Sequence, residues 1–168
     1  ALEVCRDLKE ESKNWDGSEI LGCHAEGPFI SESKKGAQDA KYILKPDASF
    51  VKEYADIIKI ITLAPEEDTK DFAAIREICR DTDVVVSMGH TSADYETAMA
   101  SINAGVKHTT HLFNAMTPLT HRGPGVVGAA FNRDVSVELI VDTVHVNASL
   151  YNMLWKLKGR QLCFITDC

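Results

Sequence analysis

The side chains able to bind a metal or move a proton are gathered in a few short segments, each at the end of an apolar run. His24-Ala25-Glu26-Gly27-Pro28 ends the first run, Gly89-His90-Thr91 the third, and His108-Thr109-Thr110-His111 the fourth. Asp142-Thr143-Val144-His145 follows the fifth and Thr166-Asp167 the sixth. One carboxylate and two neutral imidazoles form a sufficient ligand set for a catalytic zinc, with one position left for water. Such an ion brings the pKa of its water close to neutrality. A nearby carboxylate such as Asp167 can take the proton from that water and later deliver it to a leaving group. Singly, each residue has a plainer reading. His90 or His111 alone is more often a hydrogen-bonded structural histidine, Glu26 a loop residue pairing with Lys34, and Asp167 a turn residue. His24 and His108 keep the structural reading. His121 reads as solvated in a Gly/Pro loop, and Met99, Met153 and Trp155 read as helix-face packing.

Positioning these groups falls to an alternation of short and long elements. Residues 19–24, 57–63, 84–88, 105–110, 135–141 and 161–166 are short and rich in Val, Ile and Leu. They have the apolar character of strands buried in a parallel sheet. Helical patterns occupy 2–13, 49–56, 69–80, 93–103 and 148–158. Thr91 and Ser92 offer N-cap oxygens to the fourth, with Gly105 near its end, while Asn147 and Gly159 bracket the fifth. Residues 26–46 and 113–131 read as long loops. Strand and helix alternating without hairpin signals predicts right-handed βαβ units. In a (β/α) barrel the C-terminal strand ends form one ring, so residues distant in sequence converge there. An open doubly wound sheet gathers groups only around its switch point. Five chemically equipped strand ends favour the barrel. A closed barrel of this type has eight strands and six are visible, so the expectation is about six βα units of a (β/α)8 TIM barrel. Residues 1–168 are then a partial catalytic domain cut at both ends.

Composition narrows the function. The 168 residues are 45% apolar and 26% charged, with a formal charge of −7. An acidic balance argues against a nucleic-acid partner or an anionic membrane surface. No apolar run approaches the roughly 18 residues of a spanning helix, and no signal-peptide pattern is visible. The five cysteines are odd in number and lack a C-x-x-C motif. They read as reduced, mostly buried thiols of a cytoplasmic protein.

His24-Ala25-Glu26-Gly27-Pro28-Phe29-Ile30, followed by Lys34-Lys35-Gly36-Ala37, resembles the H-x-E-G-P-F segment of N-acetylglucosamine-6-phosphate deacetylases. Gly89-His90-Thr91, His111-Leu112-Phe113-Asn114-Ala115-Met116, Arg122-Gly123-Pro124-Gly125, Asp142-Thr143-Val144-His145 and Ile165-Thr166-Asp167 follow in that family's order. The resemblance runs from Glu19 to Cys168. It implies an amidohydrolase-type barrel that hydrolyses the N-acetyl group of N-acetylglucosamine 6-phosphate to acetate and glucosamine 6-phosphate, in amino-sugar catabolism. It also implies Glu26, His90 and His111 as metal ligands and Asp167 as the base on the attacking water, then the acid for the amine. The expected ion is divalent, Zn2+ above others that suit imidazole and carboxylate. The substrate's phosphate needs N–H donors or a guanidinium, which Asn114, Ala115 and Arg122 would supply. In the family that arginine reaches the neighbouring subunit's site, so a homodimer is implied. Asp142, Thr143, Val144 and His145 would bind the sugar or its phosphate.

Two positions depart from the family pattern. After Lys-Lys-Gly-Ala37 many members have His where this chain has Gln38, which keeps an amide N–H for the substrate carbonyl but no charge. The usual Gly of D-G-x-H is Thr143, a β-branched residue beside the expected sugar pocket. One metal or two stays open, because an H-x-H pair on a first barrel strand would precede Ala1, as would part of a small β-domain. Two alternatives also stand: another amidohydrolase acting on a different amide, and an inactive phosphosugar-binding fragment.

Overall fold

The computed structural model describes residues 1–167, and Cys168 lies outside the described residues. After helix α1 (Leu2–Ser12) come six strands: β1 (Cys23–Glu26), β2 (Ile58–Leu63), β3 (Val85–Met88), β4 (His108–Thr109), β5 (Ser136–Ile140) and β6 (Leu162–Ile165). One helix occupies each crossover: α2 (Ala48–Glu53), α3 (Ala73–Asp81), α4 (Tyr95–Ala104), α5 (Gly125–Asn132) and α6 (Tyr151–Lys158). The strands form one sheet in chain order, every neighbouring pair parallel. Sequential order with a helix in every crossover is the arrangement of a (β/α) barrel, not of a sheet with a switch point.

Register decides which side chains face the interior. Glu26 lies beside Thr62, Thr62 beside Ser87, and Ser87 beside His108. Paired residues of parallel strands share a face, so these polar groups form one row across four strands. Their neighbours Ile61, Leu63, Val86 and Met88 point the other way, fully or almost fully buried under the helices. Each such side chain contributes roughly 1.5–3 kcal/mol on leaving water. The sheet thus has an apolar outer face that holds the fold and a polar inner face that carries the chemistry.

Several expectations are corrected. The first strand starts at Cys23 and not at residue 19, because pairing with β2 begins only where Cys23 meets Ile58, with a register shift immediately after. A Cβ on Gly22 would stand 2.6 Å from the Ile57 carbonyl oxygen, so the approach to the sheet needs a glycine there. The cap of α4 is Asp94, whose side chain accepts from Thr97 N at 2.8 Å, and not Thr91 or Ser92. Gly105 and Gly159 end α4 and α6, and Asn147 caps the 3-10 turn that leads into α6, as expected.

The segment read as a long loop, 113–131, holds all of α5 but its last residue, Asn132. Met99 packs on the core, but Met153 and Trp155 are 44% and 54% exposed. The buried positions of α6 are Leu154 and Lys158, so its flanking residues turn outward. The thiols are less buried than expected: Cys5 and Cys23 are intermediate, while Cys79 and Cys163 are exposed, all four unpaired. Cys163 lies on β6, the last strand of the sheet order.

Candidate active site

Glu26 ends β1, His90 follows β3 and His111 follows β4, so three strand ends aim at one point. His90 Nε2 is 2.9 Å and His111 Nε2 2.8 Å from the same Glu26 oxygen, Oε1, and the two imidazole nitrogens are 3.0 Å apart. His90 and His111 are buried, while the Glu26 side chain is about one-third exposed, opening toward solvent. Among the described residues this is the one group of three or more His, Cys, Asp or Glu whose donor atoms lie together within 4.8 Å.

The donor set fits a divalent cation. His90 Nδ1 donates to the Lys34 carbonyl at 2.6 Å, which fixes the tautomer of the neutral ring and leaves a lone pair on Nε2. That lone pair meets a carboxylate oxygen and a second imidazole nitrogen, an arrangement that calls for positive charge at its centre. A proton on Nε2 takes the place of that cation when none is bound, and the ring then donates to Glu26 Oε1. Hydrogen bonds from His111, then His90, hold the Glu26 carboxyl well below the usual carboxylate range against the effect of burial. Burial opposes charge on His90, yet the Glu26 and Lys34 hydrogen bonds, with the charges of Glu26 and Asp167, raise its pKa.

The backbone at these strand ends is unusual. His90 (φ +46°), His111 (+29°), Ala115 (+48°), Thr143 (+68°) and Asp167 (+61°) all occupy the left-handed region. Non-glycine residues there cost about 1–3 kcal/mol each and persist where the surroundings over-determine them. The clamps are visible. Glu66 accepts from Thr91 Oγ1 at 2.5 Å, Ser92 N at 2.6 Å and Ser92 Oγ at 2.9 Å, pinning the turn after His90. Thr91 N donates to the Ala115 carbonyl, tying the His90 loop to the His111 loop.

Asp167 lines a cleft of ≈ 660 Å³ together with Glu26, His24, Glu138, Thr110 and Phe164. The other expected substrate contacts do not line it. Gln38 donates from Nε2 to the Glu26 carbonyl at 3.0 Å, and Ala37 lies in the turn closed by Gln38 N to the Lys35 carbonyl. Asn114 closes on its own loop, its backbone N and its Nδ2 both reaching the His111 carbonyl. Arg122 is exposed and lines a separate depression with Asp94, Tyr95 and Thr117. Asp142 folds its turn inward, accepting from Val144 N, His145 N and His145 Nδ1 at 2.7–2.9 Å, which lowers its pKa to about 2. Glu26 does not pair with Lys34, whose carbonyl serves His90 instead. His24 and His108 are held by Thr62, Ser87 and Glu138, His24 also lining the cleft, and their shared partner Glu138 was not anticipated. The signal was present in the sequence: one carboxylate inside the apolar run Val135-Ser136-Val137-Glu138-Leu139-Ile140-Val141.

Residues 5–168 match the amidohydrolase family. The chain belongs to that family. Within it, the chain is 43% identical to the N-acetylglucosamine-6-phosphate deacetylase of Bacillus subtilis, over 99% of this chain and 43% of the relative. The enzyme of the same name from Lysinibacillus sphaericus is 40% identical, over 90% of this chain and 40% of the relative. Among solved amidohydrolase structures, N-acetylglucosamine-6-phosphate deacetylase from Pasteurella multocida superposes with a TM-score of 0.86 at 36% identity, covering 100% of this chain and 44% of that one. A mutant of the Mycobacterium smegmatis enzyme, in complex with N-acetyl-D-glucosamine-6-phosphate, gives 0.82 at 33%, covering 97% and 44%. The chain therefore spans less than half the length of these relatives, and its six parallel strands with the five helices between them are a partial amidohydrolase barrel.

Proposed function

We propose that the protein carrying this chain hydrolyses the N-acetyl group of N-acetylglucosamine 6-phosphate, releasing acetate and glucosamine 6-phosphate for amino-sugar catabolism. The observation that carries this reading is the convergence of Glu26, His90 and His111 on one point beside a cleft lined by Asp167. The deacetylase name shared by relatives that align with nearly all of this chain supports the substrate. Glu26 Oε1, His90 Nε2 and His111 Nε2 would hold a divalent ion, Zn2+ in this reading. Bound there, the ion supplies Lewis acidity for the amide carbonyl and makes a neutral water nucleophilic.

The remaining work falls to side chains. Asp167 takes the proton of the attacking water and returns it to the departing nitrogen, as a carboxylate in the cleft can. Gln38 has a second amide hydrogen beyond the one given to Glu26, and directs it at the acyl oxygen, with Ala37 setting the turn. Asn114 and Ala115 border the phosphate end, and Arg122 supplies a bidentate guanidinium. The exposed Arg122 lies outside the Asp167 cleft, which supports service to a partner's site in a homodimer. Asp142, Thr143, Val144 and His145 form the sugar-side wall. Unpaired cysteines support a reducing, cytoplasmic setting, and no helix among the described residues is long and apolar enough to cross a membrane.

The test is amine release from N-acetylglucosamine 6-phosphate by the full-length, zinc-loaded protein, run beside the unphosphorylated sugar. Turnover confined to the phosphorylated substrate is expected. Equal turnover of both, or of neither, overturns the assignment. Asp167→Asn is expected to lose turnover by at least about 100-fold while retaining its metal, checked by elemental analysis of the same samples.

A further inference from the structure

Glu138 is 4% exposed, carries a charge into the middle of β5, and has no role in the reaction above. Its two oxygens do different things. Oε2 accepts from the His111 backbone N at 3.3 Å, while the Glu138 main-chain carbonyl accepts from Leu112 N at 2.9 Å. The residue therefore brackets His111 from two sides, at a point where its backbone is in the left-handed region. Oε1 faces His24 Nδ1 at 3.3 Å and His108 Nε2 at 3.7 Å.

The far nitrogens of those histidines are joined by a chain of hydroxyls through the barrel interior. His24 Nε2 meets Thr62 Oγ1 at 2.7 Å, Thr62 meets Thr110 at 2.7 Å, Thr110 meets Ser87 at 2.7 Å, and Ser87 meets His108 Nδ1 at 2.9 Å. Each hydroxyl has one proton to donate, so three hydroxyls cannot fill four contacts. With neutral rings, at least one imidazole donates into the chain, and where all three hydroxyls donate within it the other ring accepts. The accepting ring then carries its proton on the nitrogen that faces Glu138. A carboxylate with two acceptor oxygens meets both demands at once, one on the ring N–H and one on the His111 amide. An amide in its place has a single oxygen and must abandon one of them.

We propose that Glu138 is a positioning residue for the metal-binding cluster: anchored on the His24–Thr62–Thr110–Ser87–His108 chain, it sets the direction of His111. The proposal rests on the metal reading given above. Groups that orient metal ligands typically change metal affinity by about 10–100-fold when removed. The experiment titrates the metal-free full-length protein with Co2+, recording both the dissociation constant and the visible ligand-field bands, for wild type and Glu138→Gln. The expected result is a weakening of ~10–100-fold with altered band intensities and an unchanged far-UV circular dichroism spectrum.

Ser87→Ala, which cuts the hydroxyl chain without touching Glu138 or a ligand, is expected to shift affinity and bands in the same direction by a smaller factor. It serves alone if Glu138→Gln does not fold. A folded variant of either kind with wild-type affinity and spectrum overturns the positioning role. Wild-type protein that takes up no Co2+ overturns the metal reading itself, and the positioning role with it.

Discussion

Thr143 combines a β-branched side chain with a φ of +68°, a pairing that sterics disfavour and that glycine would relieve. The turn is held from outside by Asp142 and by the Tyr151 hydroxyl, which lies 3.3 Å from Thr143 N. Thr143→Gly is therefore expected to remove strain of about 1–3 kcal/mol, less the backbone entropy that glycine loses on folding. A rise in Tm on a thermal melt would bear this out, and a fall would show that the threonine side chain makes contacts worth more than the strain. His108 gives a second test. Burial lowers its pKa from the ordinary 6.5, outweighing the charge of Glu138. A base held neutral in the folded state is protonated more readily when unfolded, so it favours unfolding as pH falls below about 6.5. Stability from this group is fully present above that value and is lost progressively toward the lowered folded-state pKa. Melts of wild type and His108→Gln at pH 7.5 and 5.5 should show the smaller acid-induced loss in the variant; equal losses would remove His108 as the cause. At this scale the sequence was informative where chemistry is unusual, as at Glu26, His90 and His111. Spacing could not assign them, because their convergence depends on three strand ends separated by 64 and 21 positions.

Helix α5 shows where element-level reading fails. Its sequence, Gly125-Val126-Val127-Gly128-Ala129-Ala130-Phe131-Asn132, has no apolar stripe, because Gly125 through Ala130 are all buried. Helix periodicity marks the boundary between core and solvent, and a helix covered on all sides has no such boundary to mark. It also lacks a side-chain N-cap, and a Cβ on Gly128 would sit 2.3 Å from the Pro124 side chain. Its C-terminal end is satisfied from a distance. The buried Lys158 of α6 donates from Nζ to the carbonyls of Ala130 and Arg133 at 2.9 and 3.0 Å. Lys158→Met keeps much of the volume and strands both carbonyls, at a cost of about 1–3 kcal/mol for each that stays dry. Urea unfolding should show this as a lower midpoint at constant slope, while no shift would mean that water replaces the ammonium. The strands were legible because β-branched runs between turn residues are hard to read otherwise. Their boundaries moved by up to four residues because hydrogen-bonded pairing, which the sequence does not display, decides where a strand begins. The same applies to the α4 cap: Thr91 and Ser92 are good cap residues by type, but Glu66 uses them to pin the His90 turn.

At the scale of the molecule, the fold separates two tasks between two faces. The outer face of the sheet packs Ile61, Leu63, Val86, Met88, Val137 and Leu139 beneath helices, so it tolerates only shape-conserving change. The inner face carries Glu26, Thr62, Ser87, His108 and Glu138, polar groups that must satisfy one another. The loops at the C-terminal strand ends add the rest, and not all of them serve the same cleft. Arg122 lies in a depression formed with the N-terminal end of α4, whereas Asp167 lines the cleft beside Glu26. If Arg122 serves the site of a partner, the two residues of one subunit act in different active sites, and subunit mixing can tell. Arg122→Ala and Asp167→Asn full-length proteins, each poorly active on the phosphorylated sugar, would be unfolded and refolded together in equal amounts. In trans, a mixed dimer holds one site with its own Asp167 and the partner's intact Arg122, and random assortment returns about a quarter of wild-type sites. In cis, every site in every dimer lacks one of the two residues, and mixing returns nothing. Recovered turnover on the phosphorylated substrate would place Arg122 across the interface, and its absence from demonstrably mixed dimers would return it to its own subunit's site.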